Sequence, residues 1–201
     1  MKFSLKGRLA NFDLPPSKAM NPLFEAIVNS IHAIEEKFSD PANQGRISIY
    51  VLRNDSQSQM ELSERFIQPI DEFTIEDNGI GFDDKNYNSF ETSDSTYKLS
   101  LGGKGVGRFT WLKAFDEVKI DSVYGIIDKC KRIFDFIDTE GIQNVNVVPV
   151  NNETETYSKV ILRGYHNNYR KQCPKRLDVI ASKIIEHCLS YFVLGTCPDI
   201  P

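Results

Sequence analysis

The sequence EDNGIGF, residues 76–82, places a carboxylate and two glycines where a predicted strand ends. Asp77 could accept a hydrogen bond from an exocyclic amine, and Gly79 and Gly81 would let the backbone approach a flat ligand closely. Adenine offers such an amine, whereas guanine presents a carbonyl oxygen that a carboxylate would repel. An ordinary Asn-Gly turn explains the same residues, so this motif alone leaves both interpretations open.

The sequence LGGKGVGRF, residues 101–109, is a glycine cluster that precedes a predicted helix. Backbone N–H groups of such a loop, and the positive end of a helix dipole, suit a phosphate chain. The candidate residues are Gly102, Gly103, Lys104, Gly105, Val106 and Gly107, with Lys98 or Arg108 as further sources of positive charge. The glycine spacing fits neither the P-loop nor the dinucleotide fingerprint. A flexible turn with closely packed backbone is the alternative.

Glu25 and Asn29 lie four residues apart in EAIVNSIHAI, a segment with the apolar periodicity of a helix. Side chains at this spacing project from the same face of a helix. On their own, two polar residues on an amphipathic helix usually form a solvated surface.

One long helix and a series of short strands must position these motifs. Apolar residues recur at helical spacing over 22–38, with Asn21 as the predicted cap. Strands are predicted at 46–52, 73–76, 117–124, 131–138, 145–150 and 158–163. A short helix is predicted after the glycine cluster and a final helix over 175–192, whereas 83–101 is polar and irregular.

Helices on both sides of a run of strands favour the α+β class over a doubly wound parallel sheet. We expect a two-layer α/β sandwich with a mixed, mostly antiparallel sheet and helices on one face. The chain has 201 residues, of which 40% are hydrophobic and 26% charged, which fits a single domain over 1–201.

The charge, cysteine content and hydropathy of the chain limit the kinds of partner that the protein is expected to bind. The net charge of −4 is unlike that of a dedicated nucleic-acid binder. The basic segment 163–176 could contact a nucleic-acid backbone, although short charge runs are usually solvated loops. The four cysteines are too widely spaced for a zinc site, and we expect buried reduced thiols. No apolar stretch is long enough to span a membrane and no signal peptide is recognisable, which predicts a cytoplasmic protein without a membrane partner.

The order and spacing of Glu25–Asn29, of Asp77-x-Gly79-x-Gly81 and of the glycine cluster resemble the GHKL ATPases. This superfamily comprises gyrase B subunits, the ninety-kilodalton heat-shock chaperones, histidine kinases and MutL, with MORC proteins as relatives. YSKVILRG, residues 157–164, is similar to a late strand of the chaperones, and Ser158 falls where they have a hydroxyl near adenine. The resemblance covers residues 21–164, is nearest to chaperone-like or MORC-like domains, and implies a Bergerat-type ATP-binding fold.

The resemblance implies a role for each motif, with ATP and Mg²⁺ as the cofactors. Glu25 would be the general base that orients and deprotonates the attacking water, and Asn29 would supply an amide oxygen to Mg²⁺. Asp77 would read the adenine amine, with Gly81 beneath the base. Residues 83–101 would form a lid, and the backbone of 102–107 would hold the phosphates once it closes.

Two features separate this sequence from parts of the superfamily. His32 stands where chaperones, MutL and MORC proteins usually carry an aspartate. Histidine kinases usually have Asn where this chain has Glu25, and no phosphoacceptor hairpin precedes the domain, so histidine kinase activity is not expected.

Two functions follow from the resemblance. The first is Mg²⁺-dependent ATP binding and slow hydrolysis that drives lid closure and a conformational or dimerisation switch. The alternative is a nucleotide-sensing module with little turnover that gates assembly of a larger complex, for example one associated with DNA or bacterial defence. The expected partners are ATP or ADP, a second copy bound in an ATP-dependent manner, and downstream domains or a partner subunit if the chain is the N-terminal part of a longer protein.

Overall fold

A six-stranded antiparallel sheet organises the structure, a computed structural model that describes residues 5–53, 67–91 and 107–201. The strands are β1 (Ile47–Arg53), β2 (Ile70–Asp77), β3 (Phe115–Tyr124), β4 (Cys130–Ile137), β5 (Gly141–Pro149) and β6 (Tyr157–Tyr165). Their order in the sheet is β1-β2-β6-β3-β4-β5. Every pairing between these strands is antiparallel.

Alternation along the strands gives the sheet one buried face and one charged face. In β2, Phe73, Ile75 and Asp77 are buried, while the residues between them point to the other side. That other side carries ion pairs across neighbouring strands, including Glu76 with Lys159 and Glu72 with Arg163. The buried face is therefore the one that helices cover.

Eight α-helices and one short 3₁₀ helix (Pro16–Lys18) are present in the described residues. The α-helices are α1 (Leu5–Asn11), α2 (Asn21–Lys37), α3 (Pro41–Gln44), α4 (Asp84–Glu91), α5 (Arg108–Ala114), α6 (Asn167–Arg170), α7 (Leu177–His187) and α8 (Leu189–Leu194). Helix α2 is central because Leu23, Ile27, Ile31 and Ile34 are almost completely buried. It packs against β2 and α5, so its polar residues lie at the boundary between the helices and the sheet.

The α+β class is confirmed, and several local predictions need correction. The sheet is antiparallel rather than mixed, and the parallel contact is one isolated bridge between Arg46 and Asp199. Asn21 is not the cap of α2, because Met20 occupies that position and makes no side-chain capping bond. The predicted final helix is interrupted at Cys188, whose buried side chain packs in the core where α7 ends.

Residues 83–101 were predicted to be irregular, but their first part forms α4. The Asp83 carboxylate accepts a hydrogen bond from the Asn86 N–H at 2.7 Å, which caps the helix start. Tyr87 and Phe90, three residues apart, then pack their rings against Phe134 of β4. A capping aspartate and two aromatic side chains are enough to order this otherwise polar segment.

The prediction of buried reduced thiols is confirmed for three of the four cysteines, and the helix after the glycine cluster places an aromatic residue in the core. Trp111 of α5 is 1% exposed, and its indole N–H donates to the carbonyl oxygen of Pro22. The four cysteines are free thiols, and all but Cys130 are buried. Within the described ranges, no helix combines the length and the apolar character needed to cross a membrane.

Replacing Phe134 with alanine should destabilise the protein by about 3–5 kcal/mol, because the ring is fully buried against Phe82, Tyr87 and Phe90. Denaturant unfolding followed by circular dichroism measures this change. Ile126→Ala is the matched control: Ile126 is 90% exposed, so its loss should change the free energy of unfolding by less than about 0.5 kcal/mol. Equal effects of the two substitutions would contradict the assignment of the core.

Candidate functional site

A cleft of about 880 Å³, including space open to solvent, lies between α2, the end of β2, α4 and α5. The cleft brings together seven of the residues named from the sequence: Glu25, Asn29, Asp77, Gly81, Gly107, Arg108 and Ser158. Residues that are distant in the sequence therefore share one concave surface.

Asp77 ends β2 at the floor of the cleft and is 4% exposed. The Ser30 hydroxyl donates to one carboxylate oxygen at 2.8 Å, and the Gly79 N–H donates to the other at 2.9 Å. Ser158 of β6 lies directly opposite in the strand register. The carboxylate is thus held in one orientation by α2, by its own turn and by the neighbouring strand.

Burial raises the pKa of Asp77 to about 6, since the charged carboxylate loses its hydration. The hydrogen bonds from Ser30 and Gly79 and the charge of Lys37 offset part of this effect. Asp77 is therefore mostly ionised at neutral pH and becomes protonated in mildly acidic solution. An ionised carboxylate is an acceptor only, which is the state that an amine donor needs.

The glycines after Asp77 are required by packing within the protein. A Cβ on Gly79 would lie 2.7 Å from the carbonyl carbon of Ala33, so this residue lets the turn sit directly on α2, and Gly79 itself does not line the cleft. Gly81 has a φ of +84°, and a Cβ there would overlap the carbonyl oxygen of Val123. Gly81 does line the cleft, and its predicted position beneath a base stays a prediction.

Glu25 and Asn29 occupy the face of α2 that borders the cleft, as their spacing predicts. The Asn29 amide nitrogen donates to a Glu25 carboxylate oxygen at 3.4 Å, and this bond does not use the amide oxygen. Gly107 precedes α5 and lies against the same carboxylate, because a Cβ on Gly107 would overlap it. The start of α5 therefore passes directly beside the Glu25 carboxylate.

Several predicted residues fall outside the described part of the chain. These are Lys98, Gly102, Gly103, Lys104, Gly105 and Val106. The end of the cluster, Gly107, is described and reaches the cleft. The predicted lid over 83–101 is described only as far as Glu91, the last residue of α4.

Sequence reasoning missed other residues that line the cleft. Ser30 follows Asn29 and was not considered, although a hydroxyl beside a polar helix face was a usable signal. Helix α4 contributes Asn86, Ser89 and Phe90. Arg108, considered only as a source of charge, is 8% exposed and lies with its guanidinium 5.3 Å from the centre of the Phe90 ring.

A buried arginine on β4 fixes the wall that α4 provides. Arg132 donates to the Phe82 carbonyl oxygen at 2.6 Å and to the Asp84 carboxylate at 2.5 Å. Its guanidinium also lies between the rings of Tyr87 and Tyr124, at 4.5 Å from each centre. The local sequence does not indicate that Arg132 has this structural role, because its partners come from three other segments of the chain.

His32 has a place outside the cleft. Its Nε2 lies 3.1 Å from the Tyr191 hydroxyl oxygen of α8, and His32 does not line the cleft. The imidazole therefore connects α2, which carries Glu25 and Asn29, to the C-terminal helix.

The basic segment 163–176 is largely occupied by ion pairs. Arg163 contacts Glu72 and Glu117, Arg170 contacts Asp71, and Arg176 contacts Asp178. These ion pairs neutralise part of the positive charge that could otherwise contact a nucleic-acid backbone.

The oxygen donors of the cleft fit a hard cation. Within the part of the chain that the structure describes, His, Cys, Asp and Glu do not form groups of three that could hold a metal ion. Mg²⁺ commonly takes only one or two protein oxygens together with water and substrate phosphates. Because the Asn29 amide nitrogen makes the bond to Glu25, the amide oxygen of Asn29 is left as a donor of that kind.

No protein-family model matches this sequence, and a search of curated proteins finds no significant match. The function must therefore be inferred from the geometry of the cleft.

The raised pKa of Asp77 predicts a specific pH dependence of stability. The folded state binds a proton more tightly than the unfolded state, so the free energy of unfolding should fall as the pH rises from about 4 to about 6. Two pKa units correspond to about 3 kcal/mol. The difference in unfolding free energy between wild type and Asp77→Asn should decrease by about this amount between pH 4 and 7.

The exposed Asp138 provides the control, since Asp138→Asn should leave the pH profile of wild type unchanged. Parallel profiles for wild type and Asp77→Asn would contradict the buried, raised-pKa carboxylate.

Proposed function

We propose that the cleft binds ATP together with Mg²⁺ and hydrolyses it slowly, as part of a GHKL-type domain with a Bergerat-type fold in a cytoplasmic protein. The observation that carries this proposal is the placement of two chemically different groups in one cleft. The oriented Asp77 carboxylate can select a base, and the Glu25–Asn29 pair can act on phosphates.

Asp77 supports selection of adenine over guanine. The Asp77 carboxylate accepts hydrogen bonds from Ser30 and Gly79 and keeps further acceptor capacity for a ligand amine. A guanine carbonyl at the same place would face a fixed negative group with no donor between them. The nearby hydroxyls of Ser30 and Ser158 give the base edge additional polar partners.

Glu25 and Asn29 support the hydrolytic part of the proposal. The Glu25 carboxylate takes a proton from a water molecule that attacks the terminal phosphate, while the Asn29 hydrogen bond holds the carboxylate in place. Bound Mg²⁺ would neutralise charge on the phosphates, with the Asn29 amide oxygen as its protein ligand. The backbone of residues 102–107 and the cations Lys98, Lys104 and Arg108 would hold the phosphate chain.

The alternative function is a nucleotide sensor with little turnover, and the contact between His32 and Tyr191 favours it. This contact links the helix of Glu25 and Asn29 to α8, where Phe192, Val193 and Leu194 are exposed. A change in α2 on nucleotide binding would thereby reach an apolar surface suited to a downstream domain, a partner subunit or a second copy. ATP or ADP would be the signal, and assembly of a larger complex would be the output.

Glu25→Gln should lower the ATPase rate by about 100-fold or more, since it removes the general base while keeping the side-chain size. A phosphate-release assay measures the rate. The control is Glu140→Gln in the exposed turn between β4 and β5, which should retain the wild-type rate. No hydrolysis by wild type above background, or an unchanged rate in Glu25→Gln, would exclude the enzymatic function and leave the sensor.

Asp77→Asn should abolish ATP binding measured by calorimetry, because an amide cannot keep its bonds to Ser30 and Gly79 and also accept from the adenine amine. GTP should bind wild type at least about 100-fold more weakly than ATP, since it leaves buried polar groups unpaired. Unchanged ATP affinity in folded Asp77→Asn, or equal affinities for ATP and GTP, would reject the adenine assignment.

A further inference from the structure

Four buried polar side chains lie next to one another on the covered face of the sheet. Asp77 of β2 lies opposite Ser158 of β6 in the strand register. Ser122 of β3 lies opposite Ser158 on one side and opposite Arg132 of β4 on the other. Each of the four is 5% exposed or less. This polar row therefore runs from the carboxylate in the floor of the cleft across three more strands to Arg132.

Arg132 is a buried charge outside the cleft. Among the side chains that the structure describes, three charged ones are buried: Asp77, Arg108 and Arg132. The first two line the cleft, and Arg132 does not. Burying a charged group is unfavourable unless hydrogen bonds and opposite charges compensate for the lost hydration, so the partners of Arg132 indicate what it does.

The polar row holds the segment that leads into α4. Ser122 accepts a hydrogen bond from the Phe82 N–H at 2.9 Å, and Arg132 donates to the Phe82 carbonyl oxygen at 2.6 Å. Both backbone groups of Phe82 are thus bound by the row. Arg132 also donates to the carboxylate of Asp84, the first residue of α4, and its guanidinium lies over the ring of Tyr87. Arg132 therefore fixes the place where α4 begins.

Helix α4 transmits this constraint to the cleft. Three of its side chains line the cleft: Asn86, Ser89 and Phe90. The Phe90 ring also packs against Trp111 of α5, with 5.9 Å between the ring centres. A shift of the start of α4 would move this wall, whereas Glu25 and Asn29 lie on α2 and would keep their positions.

We propose that Arg132 is a positioning residue for the nucleotide site, which acts through Phe82 and Asp84 to hold α4 as the wall of the cleft. This role rests on the proposed function. Because a substitution of Arg132 leaves Glu25 and Asn29 in place, it should weaken nucleotide binding without slowing the hydrolytic step. The planar guanidinium can reach a carbonyl oxygen, a carboxylate and an aromatic ring at once, which a lysine ammonium cannot do.

Arg132→Lys keeps the positive charge and loses the planar group, so it should raise the dissociation constant for ATP, measured by calorimetry, by about tenfold or more. In a phosphate-release assay KM should rise with it, because hydrolysis is slow, while kcat at saturating ATP should stay within about twofold of wild type. Without nucleotide, hydrogen exchange measured by mass spectrometry should become faster at the backbone amides of residues 84–91. A substitution that merely destabilised the fold would lower the melting temperature and leave the dissociation constant of the folded protein unchanged.

The matched control is Lys131→Gln, which removes a positive charge from the adjacent residue of β4. Lys131 contacts Asp121 at 2.9 Å on the other face of the sheet, away from α4. This variant should keep the wild-type dissociation constant for ATP and the wild-type exchange of α4.

Asp84→Asn tests the same route at a side chain that is 82% exposed, where the substitution does not disturb the core. It should weaken ATP binding by about threefold, as expected for loss of one exposed charge partner. Adding it to Arg132→Lys should cause no further loss, because both substitutions remove the same contact.

A wild-type dissociation constant for ATP in folded Arg132→Lys would overturn the positioning role. So would a fall in kcat at unchanged KM, unchanged exchange of α4, or losses that add in the double variant. A wild-type chain that binds no ATP would reject the proposed function and this role with it. The two failures are distinguishable, because the first appears only in the variants.

Discussion

The buried carboxylate of Asp77 is the constraint on which the rest of the site depends. It joins the long helix α2 to the sheet through Ser30 and orders the following turn through the Gly79 N–H. Burial of the charged carboxylate is unfavourable, and the raised pKa of Asp77 reflects this cost. Buried groups with a shifted pKa are concentrated at functional sites. The same bonds set the position of α2 and therefore of Glu25 and Asn29.

A second layer of interactions holds the turn after Asp77. The Thr156 hydroxyl donates to the Gly79 carbonyl oxygen at 2.7 Å, and the Ser122 hydroxyl accepts from the Phe82 N–H at 2.9 Å. Lys37 donates to the Asn78 carbonyl oxygen at 2.6 Å. A hydroxyl from β3, a hydroxyl from the residue before β6 and a cation from α2 thus replace the regular hydrogen bonds that the turn lacks.

Sequence periodicity predicted the long helix, the six strands and the α+β class, because each of these is a local pattern of apolar residues. The motifs, read by residue type and spacing, named Glu25, Asn29, Asp77 and Gly107 as candidates that the cleft brings together. Sequence patterns did not identify residues whose interaction partners are distant in the sequence. Arg132 is an unremarkable strand residue until Asp84 and two tyrosines surround it, and His32 acquires its role from Tyr191. The helix also breaks at Cys188, a buried residue that continues the apolar pattern, so periodicity did not mark the break.

We propose that an adenine nucleotide occupies the cleft with its base at Asp77 and its phosphates at Glu25, Asn29 and Gly107. A crystal structure of the chain with Mg²⁺ and a non-hydrolysable ATP analogue would test this directly. We expect the adenine amine within hydrogen-bond distance of the Asp77 carboxylate and the phosphates beside α2 and the start of α5. An analogue bound elsewhere, or one bound in the cleft with its base away from Asp77, would contradict it.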